Sequence, residues 1–420
     1  MQIRGHHPFT GLVDVPGDKS ESHRVVLISA LAEGLSRIEG LSNGDDVART
    51  VAAVSALGGA VVRDGSALLV TGGLHAAPNA TVDLGNSGTG LRLLVGAVAG
   101  RGPGLTRFVG DESLSARPMD RVTLPLTHMG AVFRGQGPHL SLPLEVDSPA
   151  QLQGITYDVP VPSAQVKGAI LFAGLRARAA TTVIERVDTR HATEDLLREA
   201  GIAIHSSRNS EGHHVHQLEP GIPSPRAWHV ARDPSQAAFF LTAGALAPGG
   251  SVRINNLVRD PARWGYLSVL ERSGAQVTRM NDGRDIEVQH GSIRPFVTNG
   301  SEIVGLDEVP ILTVWALMAS GRSTFTNVGE LRHKEVDRLA ACAQMVQLFG
   351  ASATIEGDDL HIDGLGGAPT LSPTIGWRHD HRMVMASAVA ASLGSGCTLT
   401  HPDATASSFP TFFDALDSLR

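Results

Sequence analysis

Apolar residues at helical spacing, then a glycine corner, then two short alternating runs split by a polar turn: this succession recurs along the chain. It reads LGGAVVRDGSALLV from Leu57, MGAVFRGQGPHLSL from Met129 and AGIAIHSS from Ala200. It returns as SGAQVTRMNDGRDIEV from Ser273 and FGASATIEGDDLHI from Phe349. Glycine closing a periodic apolar stretch is a helix stop, and a Gly-bearing turn between β-rich runs is a hairpin signal. The corner glycines Gly59, Gly130, Gly201, Gly274 and Gly350 stand 71, 71, 73 and 76 residues apart. A repeat of roughly 73 residues is therefore expected, and six would fill the 420-residue chain.

The sixth repeat reaches a last helix near Phe409–Leu419 and the chain stops before its closing strand pair. The strand-like segment Met1–Val15 precedes the first repeat and has no other assignment, so it is expected to pair with the C-terminal repeats and complete the sixth. The reading is an α/β fold of two domains, each of three βαβαββ-type repeats about a pseudo-threefold axis. One domain is continuous, residues 14–229. The other is discontinuous, 1–13 plus 230–420, with the chain crossing near Trp228–Arg232.

Each repeat carries two helices, and polar motifs fall at their starts. In the first half these are DKSESHR (18–24), GNSGTGLR (85–92), ARPMDR (116–121), SAQVKGAI (163–170) and RHATEDLL (190–197). The second half adds RDPSQAAFF (232–240), LDEVPILTV (306–314), RHKEVDRLA (332–340) and DHRMVMASA (380–388). A helix N-terminus presents unpaired N–H groups and a partial positive charge, which suits anions. Helix starts that converge on a cleft between the domains would build a cavity for highly anionic small molecules.

Composition narrows the picture. A hydrophobic content of 42% and a charged content of 18% describe a folded chain. The apolar stretches Ala237–Leu246 and Val309–Ala319 are too short to span a bilayer. The start MQIRGHHPF lacks the apolar core of a signal peptide. Net charge −7 and 4% aromatics argue against a nucleic-acid binder. Cys342 and Cys397 give no disulfide framework; buried thiols in a reducing cytoplasm are expected. Of 35 basic residues all but Lys19, Lys167 and Lys334 are arginine. An ammonium is a compact point charge with a movable pKa, so the three lysines mark places where the wide guanidinium fork will not serve.

The motifs supply candidate chemistry. Lys19, the Ser20 hydroxyl and Arg24 could grip one phosphate or carboxylate; the competing reading is a Ser N-cap with solvated charges. Gly88 allows close backbone approach to a ligand, although GNSGTGLR lacks the P-loop form. Arg117 could clamp a carboxylate. Ser163, Gln165 and Lys167 offer two neutral hydrogen-bonding groups and a cation, with a structural ion pair equally open for Lys167. Asp307 and Glu335 are acids among bases, suited to proton transfer; an N-cap and a surface salt bridge are their respective competitors. HHVH (213–216) is a weak metal candidate, and Asp380 and His381 are read as orienting Arg382.

With these motifs in this order, the sequence resembles the 5-enolpyruvylshikimate-3-phosphate synthase family from about Val15 to Phe413. The resemblance rests on GDKSESHR, LGNSGTGLR, ARPMDR, SAQVKGAILFAGL, DEVPILTVWALMA, ELRHKEVDR, DHRMVMA and ASSFP. It implies two inside-out domains closing over substrates. The implied reaction is metal-free and cofactor-free transfer of enolpyruvyl from phosphoenolpyruvate to the 5-hydroxyl of shikimate 3-phosphate, by a cytoplasmic enzyme, with a monomer suggested and no nucleic-acid or membrane partner. It assigns Lys19, Ser20, Arg24, Ser163, Gln165, Arg190, Asp307 and Lys334 to shikimate 3-phosphate. Lys19, Gly88, Arg117, Gln165, Arg338 and Arg382 fall to phosphoenolpyruvate, with Asp307 as base and Glu335 and Lys19 as proton donors.

Departures from the family pattern are Asp18, Glu21, Ala164, His191-Ala192 and Ser407. Those at 191–192 leave room for a paralogue acting on another phosphorylated cyclitol. The sister family acting on a UDP-sugar commonly has a Cys before the RP motif, where this chain reads GDESLSARP. A non-catalytic binder of anionic metabolites is the alternative of a different class, and Asp307 and Glu335 among the cations weigh against it.

Overall fold

The computed structural model describes residues 1–6, 8–74 and 79–419, so His7 of the N-terminal segment lies outside it. Nine helices begin within the nine polar motifs, at Lys19, Gly88, Asp120, Ala164, Ala192, Pro234, Val309, Arg338 and His381. The cause is local. Asp18 accepts the Glu21 amide at 2.7 Å, Ser163 that of Val166 at 3.3 Å, and Asp380 those of Arg382 and Met383 at 2.9 and 3.1 Å. Each thereby satisfies donors that an α-helix leaves open at its start.

The chain forms two compact lobes, Gly17–Val230 and Met1–Pro16 with Ala231–Arg420. In the first, three four-stranded sheets are ordered 227–229, 35–39, 67–71, 60–64; then 80–83, 104–109, 141–148, 132–136; then 156–159, 181–185, 214–218, 204–208. Each has one parallel edge strand and an antiparallel hairpin. The second lobe repeats the plan with 10–12, 251–254, 285–289, 276–280 and with 297–299, 320–326, 359–365, 352–356. Its last sheet has three strands, 374–375, 397–399 and 2–3.

The N-terminal segment thus serves two sheets. Gln2–Ile3 lies antiparallel to Cys397–Thr398, where the other sheets carry the second strand of their hairpin. Thr10–Leu12 runs parallel to Ser251–Arg253. Past it, the Val13 amide donates to the Arg253 carbonyl at 3.0 Å, Arg232 pairs with Asp14, and the Asp233 amide donates to the Pro16 carbonyl at 3.0 Å. The chain therefore passes between the lobes at Pro16–Gly17 and at Val230–Ala231.

Within a repeat the two helices differ. Helices 234–246, 309–318 and 381–393 are buried on every face and touch one another. In the other lobe, helix 88–99 packs on both 19–31 and 164–174. A helix apolar all round belongs inside, whereas the second helices, such as 192–199 and 265–272, bury one stripe. Strands turn alternate residues inward, as along Ser141–Ser148.

One corner needs correction. The residue with positive φ after the first repeat's helix is Gly58, at 95°, rather than Gly59. It matches Gly130, Gly201, Gly274 and Gly350, at 107°, 85°, 114° and 99°. All five leave a helix in a conformation that costs a Cβ-bearing residue. Cys342 and Cys397 are buried free thiols, each pushed by burial to a pKa of about 12.

Candidate active site

In the lobe 17–230, helix 19–31 presents Lys19, Ser20 and Arg24 from its first two turns. Its N-cap is Asp18, so the Ser20 hydroxyl is not spent on capping. The Lys19 ammonium lies 2.9 Å from Asp46. The buried Arg24 guanidinium donates to the Thr193 hydroxyl at 2.6 Å, the Ser20 carbonyl at 2.8 Å and the Ala164 carbonyl at 3.4 Å. Burial lowers its pKa to about 10, with Glu194 and Asp18 opposing the fall and Arg190 adding to it. Arg190 immediately precedes the N-cap of helix 192–199. Ser163 caps helix 164–174, which accounts for one acceptor of its hydroxyl.

A second chain of contacts joins the glycine-rich motif to Arg117. A Cβ placed on Gly88 would meet Arg117 Nη1 at 2.6 Å, so the absence of a side chain there makes room for the guanidinium. Arg117 donates to Asn86 Oδ1 at 2.7 Å. Arg92 donates to Gln165 Oε1 at 2.6 Å, and Gln165 Nε2 donates to the Thr89 hydroxyl at 2.9 Å. Asn86, Asp46, Thr193 and Arg92 were not among the residues singled out from sequence. Arg92 had a usable signal, since it stands one helical turn from Gly88 in the same motif. Asp46 had none, because an acid in a helix's first turn is what the helix dipole favours anyway.

In the other lobe one acid sits amid three cations. Asp307 Oδ1 lies 3.8 Å from Lys334 Nζ and 3.6 Å from Arg338 Nη1, and its Oδ2 lies 3.6 Å from Arg382 Nη2. Asp307 is not the N-cap of helix 309–318; Glu308 holds that position and accepts the Ser235 hydroxyl instead. Lys334 also donates to the Gly305 carbonyl at 2.8 Å. Glu335 bonds Arg338 Nη2, and Asp380 accepts Arg338 Nε at 2.8 Å. Burial works against the Arg338 charge, but Asp380, Glu335 and Asp307 together outweigh it and raise its pKa. Lys334 and Glu335 lie ahead of helix 338–348, whose cap is Asp337, so this motif spans the approach as well as the first turn.

Two sequence candidates are placed elsewhere. Lys167 is fully buried, 2.6 Å from both Glu185 and Glu194, and is a structural cation. HHVH lies at and before strand 214–218. There His216, with His191 and Glu194, brings three ligand atoms within 4.8 Å. Lys167 already lies against the same Glu194 oxygen, so a metal ion would face an ammonium where it needs a carboxylate.

Each lobe thus carries cations at or just ahead of helix starts, with carboxylates among them. Residues 3–416 match the family model for EPSP synthase (3-phosphoshikimate 1-carboxyvinyltransferase). A 3-phosphoshikimate 1-carboxyvinyltransferase from Synechococcus sp. is 40% identical over 100% of this chain and 98% of its own length. One from Methylobacterium radiotolerans is 39% identical over 98% and 95%. The solved EPSP synthase of Acinetobacter baumannii superposes with a TM-score of 0.81 at 32% identity, covering 100% of this chain and 97% of that one. The enolpyruvyl transferase NikO from Streptomyces tendae shares the fold, with a TM-score of 0.78 at 17% identity over 100% and 96%. The chain belongs to the EPSP synthase (3-phosphoshikimate 1-carboxyvinyltransferase) family.

Proposed function

We propose that this chain carries the enolpyruvyl transfer of its family, with phosphoenolpyruvate and shikimate 3-phosphate as substrates held by the cations described above. Each substrate has a phosphate and a carboxylate, so bringing both together demands converging positive charge in a site that sheds water. Lys19, Ser20, Arg24, Ser163, Gln165, Arg190 and Lys334 take the acceptor. Arg117, Arg338 and Arg382 take phosphoenolpyruvate, with the backbone at Gly88 beside it. Asp307 accepts the proton of the 5-hydroxyl as its oxygen adds to the enol carbon, while Glu335 protonates the methylene. The phosphate then leaves with a proton from Lys19, and Glu335 takes back the methyl proton. Asp307 then gives up the proton it took and Lys19 regains the one it lost, by exchange with solvent, so atoms and charge balance without any further reactant.

The observation that carries this reading is Asp307 surrounded by Lys334, Arg338 and Arg382, with Glu335 on Arg338. A pure anion trap gains nothing from acids there. The Arg338–Glu335 bond also suggests how Glu335 is primed. A substrate carboxylate that takes Arg338 releases Glu335, which is then freer to hold a proton. A cytoplasmic monomer is part of the same reading, and among the described residues no helix is long and apolar enough to cross a membrane.

Phosphate release that requires both substrates tests the assignment. Lys19→Met and Asp307→Ala should each lower turnover by about a thousandfold, in the range that loss of a positioned acid, base or charge costs, with the circular dichroism spectrum unchanged. Saturable binding of both compounds to wild type without turnover would support a binder instead.

A further inference from the structure

The buried charges beneath helix 164–174 are the part of this lobe that the reaction does not use. Lys167 Nζ is 2.6 Å from Glu185 and 2.6 Å from Glu194, and all three side chains are within one per cent of complete burial. His216 lies 3.3 Å from Glu185 and 3.6 Å from Glu194, and Thr189 donates to Glu185 at 2.6 Å. Burial pushes the Glu194 carboxyl up, yet Lys167 and His191 draw it down to about 2. Apolar side chains of similar volume would fill this space without desolvating three ions, so the cluster is poorly explained as a source of stability. It does fix geometry. Lys167 stands on the helix whose start carries Ser163 and Gln165, and Glu194 stands in the first turn of the helix that follows Arg190.

Thr193 lies next to Glu194 and is itself buried. Its hydroxyl accepts Arg24 Nε at 2.6 Å, the shortest bond recorded for that guanidinium. A Cβ on Gly168 would meet Thr193 Oγ1 at 2.9 Å and Arg24 Nη2 at 3.6 Å, so helix 164–174 presses directly on this pair. We infer that Thr193 is a positioning residue for binding of the acceptor: it sets the plane of the Arg24 guanidinium, and the Lys167–Glu185–Glu194 cluster holds it in register with Ser163 and Gln165. The inference rests on the reading of Arg24 as a cation for the acceptor.

Thr193→Val keeps the side-chain shape and removes the acceptor. KM for shikimate 3-phosphate should rise about tenfold, as for a lost hydrogen bond to a charged group, with a much smaller change in kcat and in KM for phosphoenolpyruvate. Thr193→Ser should restore most of the loss. In an Arg24→Met background, Thr193→Val should add nothing, because the group it positions is gone. An unchanged KM for shikimate 3-phosphate in Thr193→Val, beside a raised one in Arg24→Met, overturns the positioning role and leaves the site reading standing. An unchanged KM in Arg24→Met overturns both. Glu194→Gln, nearly isosteric, should raise the same KM by a few-fold; a loss of thermal stability with both KM values intact would contradict the cluster's part.

Discussion

Gly88 and Arg117 show how one missing atom can shape an anion site. The nearest obstacle to a Cβ at Gly88 is the far end of a flexible side chain, Arg117 Nη1 at 2.6 Å, and not the backbone. Gly88→Ala should therefore fold normally while shifting the guanidinium. KM for phosphoenolpyruvate is expected to rise several-fold, equivalent to about 1 kcal/mol, with thermal unfolding unchanged; steady-state kinetics and a melting curve check both. His191 is the other informative residue. Glu194, 3.8 Å away, and then Asp188 outweigh burial and Lys167 and raise its pKa from 6.5 to about 9. A group whose folded pKa is raised stabilises fully below its unfolded value and loses that contribution as pH climbs through the folded one. The stability advantage of wild type over His191→Ala should thus be full near pH 6.5 and fade through pH 9. NMR titration of the ring should find it protonated at neutral pH; a midpoint near 6.5 would contradict the arrangement.

At the scale of elements, most of the plan was legible because capping is local. Asp18, Ser163 and Asp380 close their own first turns in polar motifs that lead into apolar runs, so the helix starts could be read residue by residue. The glycine corners gave the repeat, and the slip from Gly58 to Gly59 arose where two glycines stand together and spacing alone cannot choose. Lys167 was undecidable because its partners, Glu185 and Glu194, lie in other elements and no local pattern points to them. Asp380 shows what one cap can do at once: one oxygen takes two amides of helix 381–393, and the other takes Arg338. Asp380→Ala should cost about 3 kcal/mol from the lost cap and from the loss of one anionic partner of the buried Arg338. Asp380→Asn, which can still cap, should cost less in urea unfolding and yet raise KM for phosphoenolpyruvate, because Arg338 loses its anionic anchor. Equal stability losses in the two variants would mean that the cap contributes little.

At the scale of the molecule, the sequence carries its function in what it withholds as much as in what it places. A chain with net charge −7 keeps almost all its positive charge as arginine, and two of its three lysines, Lys19 and Lys334, stand beside carboxylates at helix approaches. Among the described residues thirteen α-helices accompany the six sheets, and each lobe carries charged residues at its helix starts. Contacts such as Arg92 with Gln165 or Arg24 with Thr193 span 73 and 169 residues, which is why they became visible only in the folded chain. The central claim is that Arg117 and Arg382 are both cations for phosphoenolpyruvate. The most direct test is its KM in Arg117→Ala and in Arg382→Ala, one from each lobe. Both should rise by at least about tenfold, as expected when a charged ligand loses one of its paired cations. A wild-type KM in either variant would contradict the account.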